Sequence, residues 1–158
     1  MQAKADVNYW TGRALKDLGR GGEAARHFSL SAAESGDFAE MAVTAHSPLS
    51  YYRGLSLREL GREAEAVGVF RALKEFGESK LTETARIDYF ATSLPNLLVF
   101  EEDLQARRDA EHQLLIAMAC AGLGDPAAGR EALAKVMAFT NADQHAANLN
   151  TTLNPVEP

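Results

Sequence analysis

A single cysteine, Cys120, stands in 158 residues, which excludes an internal disulfide and any multi-cysteine metal site. No apolar run approaches the roughly 18 residues a membrane helix needs, and no charged-then-apolar leader opens the chain. Neither a membrane span nor a signal peptide is therefore expected, and the expected location is cytoplasmic. Basic charge is also short. Sixteen lysines and arginines face 22 acidic side chains, a formal net charge of −6, whereas a phosphate-binding surface wants the opposite sign and a basic stripe. Nucleic acid drops out as a partner. Isoleucine and valine are scarce beside alanine and leucine, which disfavours strand and favours helix. What is present, 46% apolar and 24% charged residues, is ordinary for one soluble globular domain with a real core. Asn150-Thr-Thr is a glycosylation sequon, but with no secretion signal expected it reads as coincidence.

The chain is organised around Ser47–Glu75, SPLSYYRGLSLRELGREAEAVGVFRALKE, two amphipathic helices joined by a tight turn. Ser47 is the expected N-cap, and Pro48 fits the first helical position, where its missing N–H costs nothing. Leu49, Tyr52, Leu55, Leu57 and Leu60 keep roughly helical spacing, with Arg53, Arg58 and Glu59 opposite. Gly61 ends the first helix by taking positive φ. The second helix should turn Ala64, Val67, Phe70, Ala72 and Leu73 inward and stop at Gly77. Gly54 and Ala66 fall where two antiparallel helices would cross. A side chain larger than methyl there would hold the backbones apart.

The hairpin recurs. Setting Gly61 over Gly19 puts Gly54 on Gly12, Leu57 on Leu15, Ala66 on Ala24 and Phe70 on Phe28. A third copy ends its first helix at Gly124, with Ala117, Gly129 and Leu133 at the glycine, alanine and phenylalanine places. Gly, then Leu-Gly seven residues on, then Ala and Phe resembles the tetratricopeptide repeat. In such arrays each hairpin stacks on its neighbours because it cannot bury its apolar face alone. The copies lie 42 residues apart (19 to 61) and then 63 apart (61 to 124), against a family period of about 34. The proline that often closes a repeat is missing after the first two. The resemblance covers residues 5–76 and 103–140 and little between. It implies an all-α, tetratricopeptide-like helical-repeat solenoid of antiparallel pairs, with about seven or eight helices in one domain, 1–158. The expected repeats are 5–36, 47–77 and 103–140, with an inserted helix and crossover over 78–102 and a capping helix over 142–150.

Between these units the reading is less regular. Helices are expected from Asp6 to Leu18 and from Gly22 to Ser35, with Gly36-Asp37 closing the first hairpin. Phe38 to His46 reads as an irregular connection, its Phe38, Met41 and Val43 tucked over the first repeat. Ser79 or Thr82 can cap a helix of about Glu83 to Thr92, bearing Ile87, Tyr89 and Phe90, which Pro95 breaks. DYFATSLPNLLVFEEDLQ, residues 88–105, is rich in large apolar side chains without helical or strand alternation. It is read as a buried crossover, with a ligand-lining loop as the alternative. Glu101-Glu102-Asp103 marks a helix start, where carboxylates favour the positive end of the macrodipole. That helix runs to about Ala121 with Leu104, Leu114, Leu115, Met118 and Cys120 inward. Asp125-Pro126 begins a helix ending near Phe139, and Asn141 or Asp143 caps a last one through Gln144–Leu149. The tail TTLNPVEP reads as a fraying terminus. Because residues 5–18 already belong to a repeat helix, an excised C-terminal piece of a longer protein is expected. The repeats, the crossover and the closing MAFTNADQHAA are together similar to the C-terminal helical-repeat end of large bacterial proteins. Those begin with a β-rich domain of uncharacterised type linked to carbohydrate metabolism.

Nothing assembles a nucleophile, base and orienting group, so no catalysis, cofactor or metal is expected. Cys120 in MACAGLG reads as a buried structural thiol, since a catalytic one needs a base and exposure. His27, His46, His112 and His145 share no metal-ligand spacing and read as surface or boundary residues. Gly19-Arg-Gly-Gly has neither the preceding strand nor the lysine of a phosphate loop and reads as a turn. The carboxylates at 101–103 would point different ways on a helix.

The expected function is non-catalytic protein–protein interaction or scaffolding. In the resembled family the first helix of each hairpin lines a concave groove for a peptide or partner helix. That register implies groove positions Tyr9, Arg13, Lys16 and Asp17 in the first copy. In the second it implies Tyr51, Leu55, Arg58 and Glu59, and in the third Glu111, Leu114 and Met118. Tyrosines beside arginines make a common hot-spot composition. The family's carboxylate clamp uses lysine and asparagine where this chain has Tyr9 and Arg13, so chaperone tails of that kind are not expected. The competing expectation is self-association, a homodimer or intramolecular packing element of a larger protein. A small-molecule site beneath Tyr89, Phe90 and Phe100 is a third.

Overall fold

The computed structural model describes residues 4–34, 37–39, 42–84, 103–140 and 142–155. Among these residues the chain is helical in seven segments. They are α1 (Ala5–Asp17), α2 (Gly21–Ala33), α3 (Pro48–Glu59), α4 (Glu63–Leu81), α5 (Leu104–Leu123), α6 (Pro126–Phe139) and α7 (Gln144–Leu153). The all-α class expected from composition is the class observed. The connection between α2 and α3 is less irregular than expected. It holds strands β1 (Asp37–Ala39) and β2 (Ala42–Thr44), antiparallel, with Asp37 opposite Thr44 and Phe38 opposite Val43.

Local chemistry sets the helix ends. Ser47 begins α3 with a reciprocal cap: its Oγ accepts from the Leu49 N–H at 3.1 Å, and Ser50 Oγ accepts from the Ser47 N–H at 3.2 Å. Asp103, Asp125 and Asp143 each open a helix by accepting the N–H three residues on, from Ala106, Ala128 and Ala146. The turns α1–α2, α3–α4 and α5–α6 share one ending. Gly19, Gly61 and Gly124 take φ of 73°, 75° and 80°. The next residue in each case donates back to the carbonyl of Leu15, Leu57 or Cys120 at 2.9 Å. Three antiparallel pairs result.

The pairs stack in chain order. α2 lies on α3 and α4 on α5, the first helices also touch (α1 on α3, α3 on α5), and α7 lies on α6 and α5. One continuous apolar core runs through all seven helices.

Packing corrects several expectations. α4 does not stop at Gly77 but continues to Leu81, absorbing Ser79 and placing Thr82 at its C-cap. Gly77 is buried because α5 passes over it; a Cβ there would meet Ile116 Cγ1 at 2.9 Å and the His112 carbonyl at 3.1 Å. Ala64 and Leu104 face solvent. α7 runs past Leu149 to a buried Leu153, so Thr151–Leu153 are helix and not a frayed tail. Gly54 is a small residue for a different reason than a backbone crossing. Its missing Cβ leaves room for the Phe70 ring, whose Cε1 would lie 2.4 Å away, as Gly12 does for Phe28 at 2.6 Å. Even a methyl collides. In the third pair Gly129 does face backbone, with the Ala117 carbonyl at 3.3 Å. The helix expected over Glu83–Thr92 falls mainly outside the described residues. So do Gly36, Met41, Asn141, Glu101, Glu102 and the 88–102 stretch of the crossover, with Tyr89, Phe90 and Phe100.

Candidate functional site

The face built by α1, α3 and α5 carries a run of aromatic side chains. Trp10 and Tyr9 on α1 stand edge to face with ring centroids 5.2 Å apart, and Tyr9 lies 5.7 Å from Tyr52 on α3. Trp10 lies 6.2 Å from Tyr52, Tyr51 5.5 Å from Tyr52, and Phe70 of α4 5.9 Å from Tyr51. His145 of α7 completes the run, its ring 5.6 Å from Tyr52 and its Nδ1 3.2 Å from the Tyr52 hydroxyl. Burial pushes the Tyr51 and Tyr52 phenols up, in Tyr52 against hydrogen bonds with Asn148 and Trp10 that favour the phenolate. Both remain protonated at physiological pH.

Of the groove residues expected from the register, the structure keeps some at the surface and sinks others. Tyr9, Tyr51 and Leu114 are 5%, 7% and 4% exposed and belong to the core, and Met118 is fully buried. The reason is geometric: α1 and α3 are pressed together, and α7 lies over the adjoining surface. Lys16 and Glu111 are exposed, and Arg13, Leu55 and Arg58 are half-buried. Glu111 is paired with Arg107 at 3.2 Å. Glu111 and Leu114 line an open cleft of about 410 Å³ between α5, the end of α6 and Asp143.

The basic residues expected to meet a partner are engaged within the chain. Arg13 NH1 donates to the Tyr9 hydroxyl at 3.2 Å and lies 3.8 Å from Glu59, and these partners hold its guanidinium above its ordinary value. Lys16 Nζ reaches the same carboxylate at 2.6 Å, tying α1 to α3. Arg58 donates to Glu63 and, at 2.8 Å, to the Gly122 carbonyl of α5, with its guanidinium 5.3 Å from the Phe70 ring centroid. The two ties are the same device one repeat apart. Lys16 and Arg58 are register mates, as are Glu59 and Gly122.

The remaining candidates for chemistry are quiet. Cys120 is 2% exposed and burial pushes its thiol up, away from the thiolate. His27 meets Asn8 Oδ1 at 3.1 Å, while His46 and His112 flank the Phe76 ring at 5.1 and 6.2 Å. All four histidines are half-buried boundary residues, as expected. Gly19 to Gly22 form the α1–α2 turn and the start of α2. Among the described residues, no cluster of three histidines, cysteines or carboxylates could hold a metal ion. No helix there is long and apolar enough to cross a membrane.

Sequence reasoning misses Trp10 and gives Tyr52 only a place on a helix face. The signal for both is in reach: the 42-residue offset (9 to 51, 10 to 52) sets the doublet Tyr51-Tyr52 over Tyr9-Trp10. For the pairing of His145 with Tyr52, 93 residues away, no local signal exists. Comparison with family models, curated proteins and solved structures returns no match.

Proposed function

We propose that the chain is a non-catalytic protein-interaction module of the tetratricopeptide kind, a short helical-repeat solenoid whose α1–α3–α5 face takes a peptide or partner helix. The observation that carries this is the aromatic run with Trp10 at its open edge. Trp10 is 47% exposed although it touches Tyr9 and Tyr52. A rigid aromatic platform with one accessible indole offers large contact area at small rotamer cost, the composition of binding hot spots. Arg13 and Lys16 on the same helix supply the polar rim, with the half-buried Leu55 and Arg58 on α3. Series stacking, the shared glycine turn and the recurring small-residue seat for a phenylalanine all support the repeat reading.

The test is capture from host lysate by the wild-type chain, Trp10→Ala and Arg13→Ala, with light scattering on each. A defined protein held by the wild type and lost with Trp10→Ala is the expected result. Undiminished capture by both variants removes this face from the function.

One observation favours a second reading, self-association of a structural module within a larger protein. Val7 and Trp10 of α1 and Leu18 at its C-cap are 57%, 47% and 71% exposed, and helical spacing sets them on one side. A stripe of that kind suits stacking against a copy of itself. A concentration-independent dimer split by Leu18→Asp, with nothing captured, would move the assignment to that reading.

A further inference from the structure

We infer that α7 is the resident occupant of the Tyr52 end of the site proposed above, and that a partner helix completes its docking by taking α7's place there. The inference rests on that site being a binding face and identifies what governs access to it. α7 has only 10 residues, fewer than the ~12–15 an isolated helix needs to persist in water. It is helical because it is docked. Ala146, Leu149 and Leu153 form one buried stripe, while Gln144, Ala147, Asn150, Thr151 and Thr152 face solvent. Its polar edge sits on α3, where His145 Nδ1 meets the Tyr52 hydroxyl and Asn148 hydrogen-bonds the same group. Arg130 NH1 holds the far end through the Leu153 carbonyl at 3.1 Å. Among the described residues no ion pair fixes it. A docked segment held by one narrow stripe and a few hydrogen bonds lies at the low end of local stability.

Tyr52 is 2% exposed with His145 over its ring, while Trp10, the next ring along, stays open. An incoming helix can therefore engage Trp10 first and reach Tyr52 only when α7 leaves. The occupant that fits is an amphipathic helix with a small residue followed by leucines three and seven positions on, and an imidazole or amide beside the small residue. α7 itself is the template. Its docking lowers the apparent affinity for such a helix by the fraction of molecules in which it is undocked.

The experiment uses the full chain and a fluorescent peptide of residues 142–155, read by anisotropy. His145→Ala removes one hydrogen bond and a ring contact from the chain's own α7, and the peptide should then bind about tenfold tighter than to the wild type. Equal affinity for both chains overturns the inference. Hydrogen exchange on the wild type gives an independent reading: the amides of Ala147–Leu153 should exchange much faster than those of Leu115–Cys120, and equal protection overturns it. A dimer of His145→Ala forming without peptide would make a second copy the occupant and overturn the assignment to a different protein. The two readings fail separately. A lysate partner bound equally by wild type and His145→Ala sinks this inference alone, whereas peptide binding with no effect of Trp10→Ala on capture sinks the function alone.

Discussion

The two junctions between helical pairs solve the same packing problem with opposite chemistry. Where α1 and α2 meet α3, the centre is polar. Ser31 Oγ donates to the Ala5 carbonyl at 2.8 Å and accepts from Ser56 Oγ at 2.8 Å, and both serines are fully buried. Arg53 Nε adds a bond to the Ala32 carbonyl at the end of α2. Where α3 and α4 meet α5, the centre is the fully buried Phe70 ring, seated between Gly54 and Gly122, whose missing Cβ atoms would lie 2.4 and 2.5 Å from it. A hydroxyl network fixes one arrangement by direction, because each buried group must find its partner. A ring between two glycines fixes one by shape. Similar helical outlines thus hide junctions that should fail differently.

The sharpest break is Phe70→Ala. It empties a seat shared by three helices, and about 3–5 kcal/mol should be lost in denaturant unfolding. A cost below ~1 kcal/mol would mean that the second junction collapses freely and is not held by shape. Gly54→Leu comes next, with overpacking against the same ring costing about 1–3 kcal/mol by the same measurement. A neutral Gly54→Leu would show that Phe70 has somewhere else to go.

At the first junction the signature is different. Ser31→Ala leaves the Ser56 hydroxyl buried without its partner and should cost about 1–3 kcal/mol, while Ser31→Ala/Ser56→Ala removes both groups and should cost less than the single change. Additive losses would argue against a coupled hydroxyl pair. The smallest effect separates the junctions by pH. His46 and His112 flank Phe76 at the second junction, and burial pushes both below the ordinary 6.5, helped by Arg53 and Arg108 respectively. Below 6.5 the unfolded chain takes up protons that the folded chain refuses, so stability should fall as pH drops from 7 towards 5. Lys80 also disfavours the His112 imidazolium, while Glu111 and a backbone hydrogen bond at Arg108 oppose the shift. Denaturation midpoints across this range should flatten in His112→Asn; an unchanged slope would remove that imidazole from the account.

Helix ends were legible because their causes are local. Ser47-Pro48, the aspartates at 103, 125 and 143, and the glycines at 19, 61 and 124 act through bonds a few residues long. Gly77 misled because a glycine ends a helix only where the chain must turn; here its φ is ordinary and α5 needs its surface. The repeat register named the helices lining the candidate site and several of its residues. It could not say that Tyr9 and Tyr51 point into the core, since facing depends on how tightly neighbouring helices close. Ser31 and Ser56 look like surface residues until the partner is seen. The reach of α7 to α3 is purely tertiary.

In α1 and α3 the cation near the end of the helix acts as a plug for a socket on the next first helix. Lys16 of α1 fits the Glu59 carboxylate of α3, and Arg58 of α3 fits the Gly122 carbonyl of α5. In both cases the coupling runs from the earlier pair to the later. In α5 the matching position is Ala121, which has nothing to insert. The last helix, α7, is fastened instead from the second helix of the third pair through Arg130. The grammar that joins the pairs stops short of α7, whose His145 meets Tyr52.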